Sequence, residues 1–215
     1  MTERGRFITL EGIEGVGKST QAALLADWLE GEGIDVVRSR EPGGTAAAEA
    51  IRELLKHSPV DSISAETELL LIFAARSSHA EAVLRPQLAA GRWVLCDRYL
   101  DASYAYQGAG RGLGDARVAA LADWLVPDLT PDLTLLFDLP VDDALARLPG
   151  RGAHDRFEHE DGDFFRRVRE GYLARAASEP KRVKRVDANG TAEEVQARCR
   201  ALVAPFLNHS KKACE

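Results

Sequence analysis

Gly12, Ile13, Glu14, Gly15, Val16, Gly17, Lys18 and Ser19 follow the pattern G-x-x-x-x-G-K-[ST]. Glycines at both ends let successive backbone N–H groups curl around phosphate oxygens with no Cβ in the way. A helix opening at Lys18 turns its positive dipole end toward the same anion. The Lys18 ammonium then reaches β- and γ-phosphates, and the Ser19 hydroxyl is placed to ligate Mg²⁺. A glycine-rich turn that only caps a helix has this composition too. The strand before and the helix after distinguish a phosphate-binding loop, or P-loop, and both are present here.

Further groups are placed for phosphate chemistry. Asp97 ends the hydrophobic run Trp93-Val-Leu-Cys96, where a carboxylate lies near Mg²⁺ and its waters if the neighbouring strand feeds the loop. It could instead cap the following segment. Arg98 follows at once, positioned to meet an anion beside the γ-phosphate or to pair with an acid such as Asp101. Arg76 interrupts the apolar Leu69, Leu70, Ile72 and Phe73, so it needs a bound base or a carboxylate as partner. Pro149 to Asp161 lacks apolar periodicity and carries Arg151 and Arg156, with Arg147 just before. It reads as a mobile lid or as a solvated charged loop.

These groups require elements to hold them. Strands are predicted at Phe7–Glu11, around Val36 and Val37, at Trp93–Cys96, Leu133–Phe137 and Val183–Val186. Helices are predicted over Lys18–Glu30, Ala46–Lys56, Glu66 to about Arg85, Leu113–Leu125, Asp142–Leu148, Asp163–Ala177 and Ala192–Leu207. Pro86 should kink a helix or start a new turn. Strands alternating with helices imply a parallel five-stranded sheet covered on both faces, an α/β P-loop fold in a single domain over 1–215. Ligands in such sheets bind beyond the carboxyl ends of the strands, where each of these groups lies.

Composition narrows the partners. The chain has 215 residues, 45% hydrophobic and 29% charged, enough for a core without metal or disulfide staples. Cys96, Cys199 and Cys214 are odd in number and far apart, which excludes a disulfide framework and a Cys-x-x-Cys site. The longest apolar run, Leu69 to Ala75, is too short for a bilayer, so no membrane partner is expected. A net charge of −6 argues against nucleic acid. Arginine greatly outnumbers lysine, which suits a small phosphorylated ligand. No guanine-reading Asn-Lys-x-Asp stretch is present, and the histidines are scattered.

Three further stretches specify the second substrate: Arg40-Glu-Pro-Gly-Gly-Thr45, Phe73-Ala-Ala-Arg76, and Asp97-Arg98-Tyr99 running on to Ala105-Tyr-Gln-Gly108 and Gly110-Arg-Gly112. With the P-loop, and with Pro131-Asp-Leu-Thr134, Phe137-Asp138 and Asp155-Arg-Phe-Glu158, the ordered set resembles the bacterial thymidylate kinases over nearly the whole chain. The resemblance implies that Arg98 holds the acceptor phosphate and that Arg76 hydrogen-bonds thymine. It implies an aromatic stacked on the base, for which Phe73 is the candidate, with Ile72 beside it. Pro42 lines the base pocket or shapes its turn. Tyr106 packs beneath the deoxyribose, Gln107 reaches toward the base, and Ser103 lies near the base or caps a helix. Glu14 sits near the sugar 3′-hydroxyl and the metal. Some relatives carry an arginine after this acid, but Gly15 stands here, so Arg151 of the lid is expected to supply that charge, with Arg147 on the ATP side.

The expected reaction is transfer of the ATP γ-phosphate to dTMP, with Mg²⁺, in a cytoplasmic protein that the resemblance makes a homodimer. Kinases of other nucleoside monophosphates, and a regulatory nucleotide-binding protein without kinase activity, share the P-loop. Only the pocket from Arg76 to Tyr106 separates the first of these.

Overall fold

The computed structural model describes residues 4–59, 62–148 and 160–211, with side chains through Leu207. Five strands form the sheet: β1 (Phe7–Glu11), β2 (Val36–Arg40), β3 (Trp93–Asp97), β4 (Leu133–Asp138) and β5 (Val183–Asp187). All pair in parallel in the order β2-β3-β1-β4-β5. The five predicted strands and the parallel architecture are borne out. The register sets Leu10 beside Asp97, so the end of β1 and the end of β3 deliver their next residues to one edge.

Side chains alternate across β1 and β3, as the two-residue strand period requires. Ile8, Leu10, Trp93 and Leu95 join one core cluster with Leu25, Leu29 and Val203, while Phe7, Val94 and Cys96 join another with Leu69, Phe73 and Val118. The first cluster takes helices α1 (Lys18–Gly31), α8 (Gly162–Ser178) and α9 (Ala192–Lys211), and the second takes α3 (Ala65–His79) and α6 (Asp115–Leu125). The remaining helices are α2 (Ala46–His57), α4 (Arg85–Ala89), α5 (Leu100–Ser103) and α7 (Val141–Ala146).

Two helical stretches differ from expectation. The single helix expected to Arg85 instead widens into a π-turn at Ala80–Leu84 before α4, shifting the ladder just ahead of Pro86, which has no N–H to donate. The segment Leu100–Gly110 carries no helical periodicity, yet it forms α5 and a π-helical stretch from Tyr104 to Gly110. Glycine on α8 permits this: a Cβ at Gly171 would stand 2.8 Å from the Ala109 Cβ and 3.0 Å from the Ala105 Cα. Of the expected lid, 149–159 lie outside the described residues. Its last two are anchored, Glu160 to Arg111 at 2.5 Å and Asp161 as the cap of α8, accepting from the Phe164 N–H at 2.7 Å.

Beneath this packing lies a buried charge cluster. Asp101 is 2% exposed and accepts from Arg182 at 2.7 and 2.9 Å and from Arg175 at 3.0 Å. Burial alone would push its carboxyl up, but the two guanidiniums hold it below the usual carboxylate range. Its stabilising effect is therefore present at neutral pH and is lost only as pH falls through that lowered value. Asp101→Ala removes the buried partner of two part-buried arginines and leaves them the more exposed Glu179 as carboxylate partner, so it should cost about 3 kcal/mol, read as a lower urea midpoint at pH 7.

Candidate functional site

The loop after β1 is shaped by what it approaches. At Gly12, φ is +138° and a Cβ would meet the Phe137 carbonyl oxygen at 2.5 Å. At Gly15, φ is +75° and a Cβ would collide with the Ala144 carbonyl at the end of α7. Only glycine meets both demands. Lys18, 8% exposed, folds its ammonium back onto the loop, donating to the Ile13 and Gly12 carbonyls at 2.7 and 3.0 Å. Burial, with the charge of Arg98 second, brings its pKa down from 10.5 to about 8. Ser19 donates to Asp97 Oδ2 at 3.1 Å across the two adjacent strand ends. Asp97 Oδ1 is buried with no protein partner among the described residues.

Arg98 connects this loop to a neighbouring cleft. Its backbone takes φ +69°, a left-handed conformation that is costly for an arginine. From there its guanidinium donates to the Gly12 carbonyl at 3.0 Å, the Tyr172 hydroxyl at 3.1 Å and Glu14 at 2.8 Å. It also lies 4.7 Å from the centre of the Tyr106 ring, whose hydroxyl donates to Glu14 at 2.7 Å. Below it, Tyr172 donates to Glu11 at 2.8 Å, and Glu11 also accepts the Tyr99 N–H at 2.8 Å. Burial, with repulsion from Asp101 second, pushes the Glu11 carboxyl up to about 7.

The cleft beyond Arg98 encloses about 770 Å³ including its open mouth. Of the residues singled out in the sequence, Glu14, Pro42, Arg76, Arg98, Ser103, Tyr106 and Gln107 all line it. Arg76 is 1% exposed and donates to Glu41 at 2.7 Å, to the Ser103 hydroxyl at 2.9 Å and to the Tyr99 carbonyl at 2.9 Å. Its partner within the protein is thus a carboxylate. His79 closes the pair from the other side, 3.0 Å from Glu41.

Two expectations need correction and others fall elsewhere. Phe73 does not reach the cleft: it belongs to the core cluster with Leu69 and Val118, its ring 4.6 Å from the Arg76 guanidinium carbon. Ile72 lines the cleft instead, because one step of 100° on a helix exchanges the core face for the cleft face. Ser103 caps no helix start; it ends α5 and accepts from Arg76. Arg147 lies away from the cleft, donating to the Ala188 carbonyl at 3.2 Å, one turn beyond the Ala144 that abuts Gly15. Arg151 lies outside the described residues. The sequence reading missed Glu41, Glu11, Tyr172 and Glu68. Glu11, Glu68 and Tyr172 each border an apolar stretch, the kind of exception that marks a buried partner, whereas Glu41 stands in a polar turn and gave no such signal.

Parallel strands feeding a glycine loop into a helix, with a cation-lined cleft beside it, define an α/β P-loop protein with room for a second ligand. Residues 10–199 match the family model described as thymidylate kinase. A thymidylate kinase from Chromohalobacter salexigens is 57% identical over 195 residues, covering 90% of this chain and 92% of that protein. One from Alcanivorax borkumensis is 55% identical over 199 residues, with 93% and 96% covered. The crystal structure of thymidylate kinase from Ehrlichia chaffeensis superposes with a TM-score of 0.77 at 32% identity, covering 94% of this chain and 99% of that one. The chain belongs to the thymidylate kinase family.

The depressed Lys18 pKa generates a test. Between about pH 8 and 10.5 the unfolded chain holds a proton on Lys18 that the ligand-free fold has released, so this group makes stability rise with pH across that window. Lys18→Met should remove that rise and leave the melting temperature at pH 7 unchanged or higher. Nucleoside triphosphate binding, followed by fluorescence titration, should weaken at least about tenfold.

Proposed function

We propose that the chain is an ATP-dependent kinase that transfers the γ-phosphoryl group to dTMP, giving dTDP and ADP. Relatives named thymidylate kinase at 51% to 57% identity over about nine-tenths of the chain support this. The observation that carries it is Arg98: one guanidinium touches the P-loop at Gly12 and also walls the cleft. Phosphates held on either side would meet at that charge.

In this reading Gly12 to Ser19, with Arg147, hold ATP, while Pro42, Arg76, Arg98, Ser103, Tyr106 and Gln107 hold dTMP. Ile72 takes the place given to Phe73. The acceptor is a phosphate monoester with a second pKa of about 6, so its attacking oxygen is largely deprotonated at pH 7 and no general base is required. Glu14 and Asp97 are positioning groups. Glu14 holds Arg98 and Tyr106 in one arrangement, which fixes the acceptor before reaction. Lys18 and Arg98 carry positive charge to the place where the two phosphates would meet.

Mg²⁺ is the expected ion. Ser19 and Asp97 suit it, because a buried carboxylate oxygen with no partner among the described residues stands beside a hydroxyl, and Mg²⁺ uses one or two protein ligands plus phosphate. When bound, the ion neutralises charge on the phosphate oxygens. No helix among the described residues is long and apolar enough to cross a membrane. A cytoplasmic location is supported by the free, buried thiols of Cys96 and Cys199. A homodimer is supported by the exposed Leu70 of α3 and Trp124 of α6, apolar area a second copy would cover.

Coupled ADP release with a panel of monophosphates tests the reading, with dTMP expected to give the highest kcat/KM. Preference for a purine monophosphate would move the assignment to another nucleotide kinase. A further expectation concerns the transferring group. No side chain can replace Gly15 without displacing α7, so the loop itself cannot offer an arginine there. Arg151→Ala should therefore lower kcat by roughly 10³ with little change in KM for dTMP. A raised KM with kcat spared would make Arg151 a binding contact.

A further inference from the structure

Gln107 lines the cleft, but one end of its amide is already committed. Its Nε2 donates to Glu68 Oε1 at 2.9 Å, and Glu68 is fully buried on α3. Glu68 also accepts from the Arg111 Nε, 3.2 Å from each carboxylate oxygen. A carboxylate paired with a guanidinium is an acceptor only. Gln107 must therefore turn its nitrogen to Glu68 and its carbonyl oxygen away. That oxygen takes no hydrogen bond among the described residues and is not sealed in, so it opens to the cleft.

The opposite wall has a fixed polarity as well. The Arg76 guanidinium can only donate, and its plane is held by Glu41, Ser103 and the Tyr99 carbonyl. The cleft thus offers a donor from Arg76 and an acceptor from Gln107. A base with a carbonyl at C4 beside an N3–H presents the complementary pair. A base with an amine at C4 beside an unprotonated N3 presents the reverse, donor facing donor and acceptor facing acceptor.

We propose that Glu68, which does not line the cleft, locks the Gln107 amide with its carbonyl inward and so makes the site select thymine over cytosine. Glu68 is a positioning residue: it acts through Gln107. The inference rests on the reading of the cleft as the dTMP site. It extends that reading from which residues touch the base to what decides their polarity. Arg111 belongs to the same device, since its Nε–H can only donate and meets Glu68 on its two oxygens.

The test is Glu68→Gln, which preserves shape but satisfies either orientation of the Gln107 amide. Calorimetric Kd values and steady-state turnover are measured with dTMP and dCMP. In the variant the dCMP-to-dTMP ratio of Kd should fall about tenfold. The change should appear in KM for both acceptors, with kcat for dTMP and KM for ATP within about twofold of wild type. Gln107→Met should lower the ratio at least as far, and adding Glu68→Gln to it should lower it no further. An unchanged ratio in Glu68→Gln, with kcat reduced alike for both acceptors, would make Glu68 a structural residue and overturn the proposal. An unchanged ratio in Gln107→Met overturns it too, even should the Glu68 variant not fold. Wild-type protein that binds dTMP but does not phosphorylate it defeats the assigned function alone, and the Kd ratios still decide the role of Glu68. Wild-type protein that binds neither defeats both.

Discussion

The guanidinium of Arg98 is the contact on which the rest of the site depends. It reaches its position through a left-handed backbone that costs an arginine about 1–2 kcal/mol. Charge-assisted hydrogen bonds to Glu14 and to the Gly12 carbonyl offset that cost. The same group orders Glu14, and through it Tyr106, on the cleft side. Beneath it, Tyr172 brings α8 into register with the ends of β1 and β3. Loop, cleft and α8 are thereby joined at a single side chain, and the parallel register of β1 with β3 makes that meeting unavoidable.

The arginine excess has a second explanation beyond phosphate binding. Arg76 is held by Glu41, Arg111 by Glu68, Arg175 and Arg182 by Asp101, and Arg169 and Arg185 by Asp138. The carboxylates are buried, and in the pairs made by Arg111, Arg169 and Arg182 one planar guanidinium meets both carboxylate oxygens. A lysine would meet such partners as a point charge and titrate more readily. Most of the named arginines thus serve the interior, and Arg98 is the one among them that bridges to the P-loop.

How much could be read from the chain depended on whether the signal was local. The P-loop was legible because its spacing, its strand and its helix all lie within 25 residues of one another. The strands showed as β-rich apolar runs. The stretch Leu100–Gly110 was opaque, because its helical form depends on the bare backbone of Gly171, more than sixty residues away. Phe73 and Ile72 could not be separated by composition, since both are apolar and adjacent. Only the packing of α3 against α6 decides which of them turns inward. Buried acids such as Glu11 and Glu68 resembled ordinary surface charges until their partners from distant segments were known.

The clamped polarity of the cleft bears on inhibitor chemistry. Arg76 is fixed by three protein acceptors before any ligand arrives, and Gln107 by a buried carboxylate. A bound molecule does not have to freeze these side chains, so little rotamer entropy is lost at that end of the site. The corollary is that this wall does not remould itself around a poor match. A synthetic scaffold must present the same acceptor-then-donor edge, and diversity belongs on the side facing the cleft's mouth.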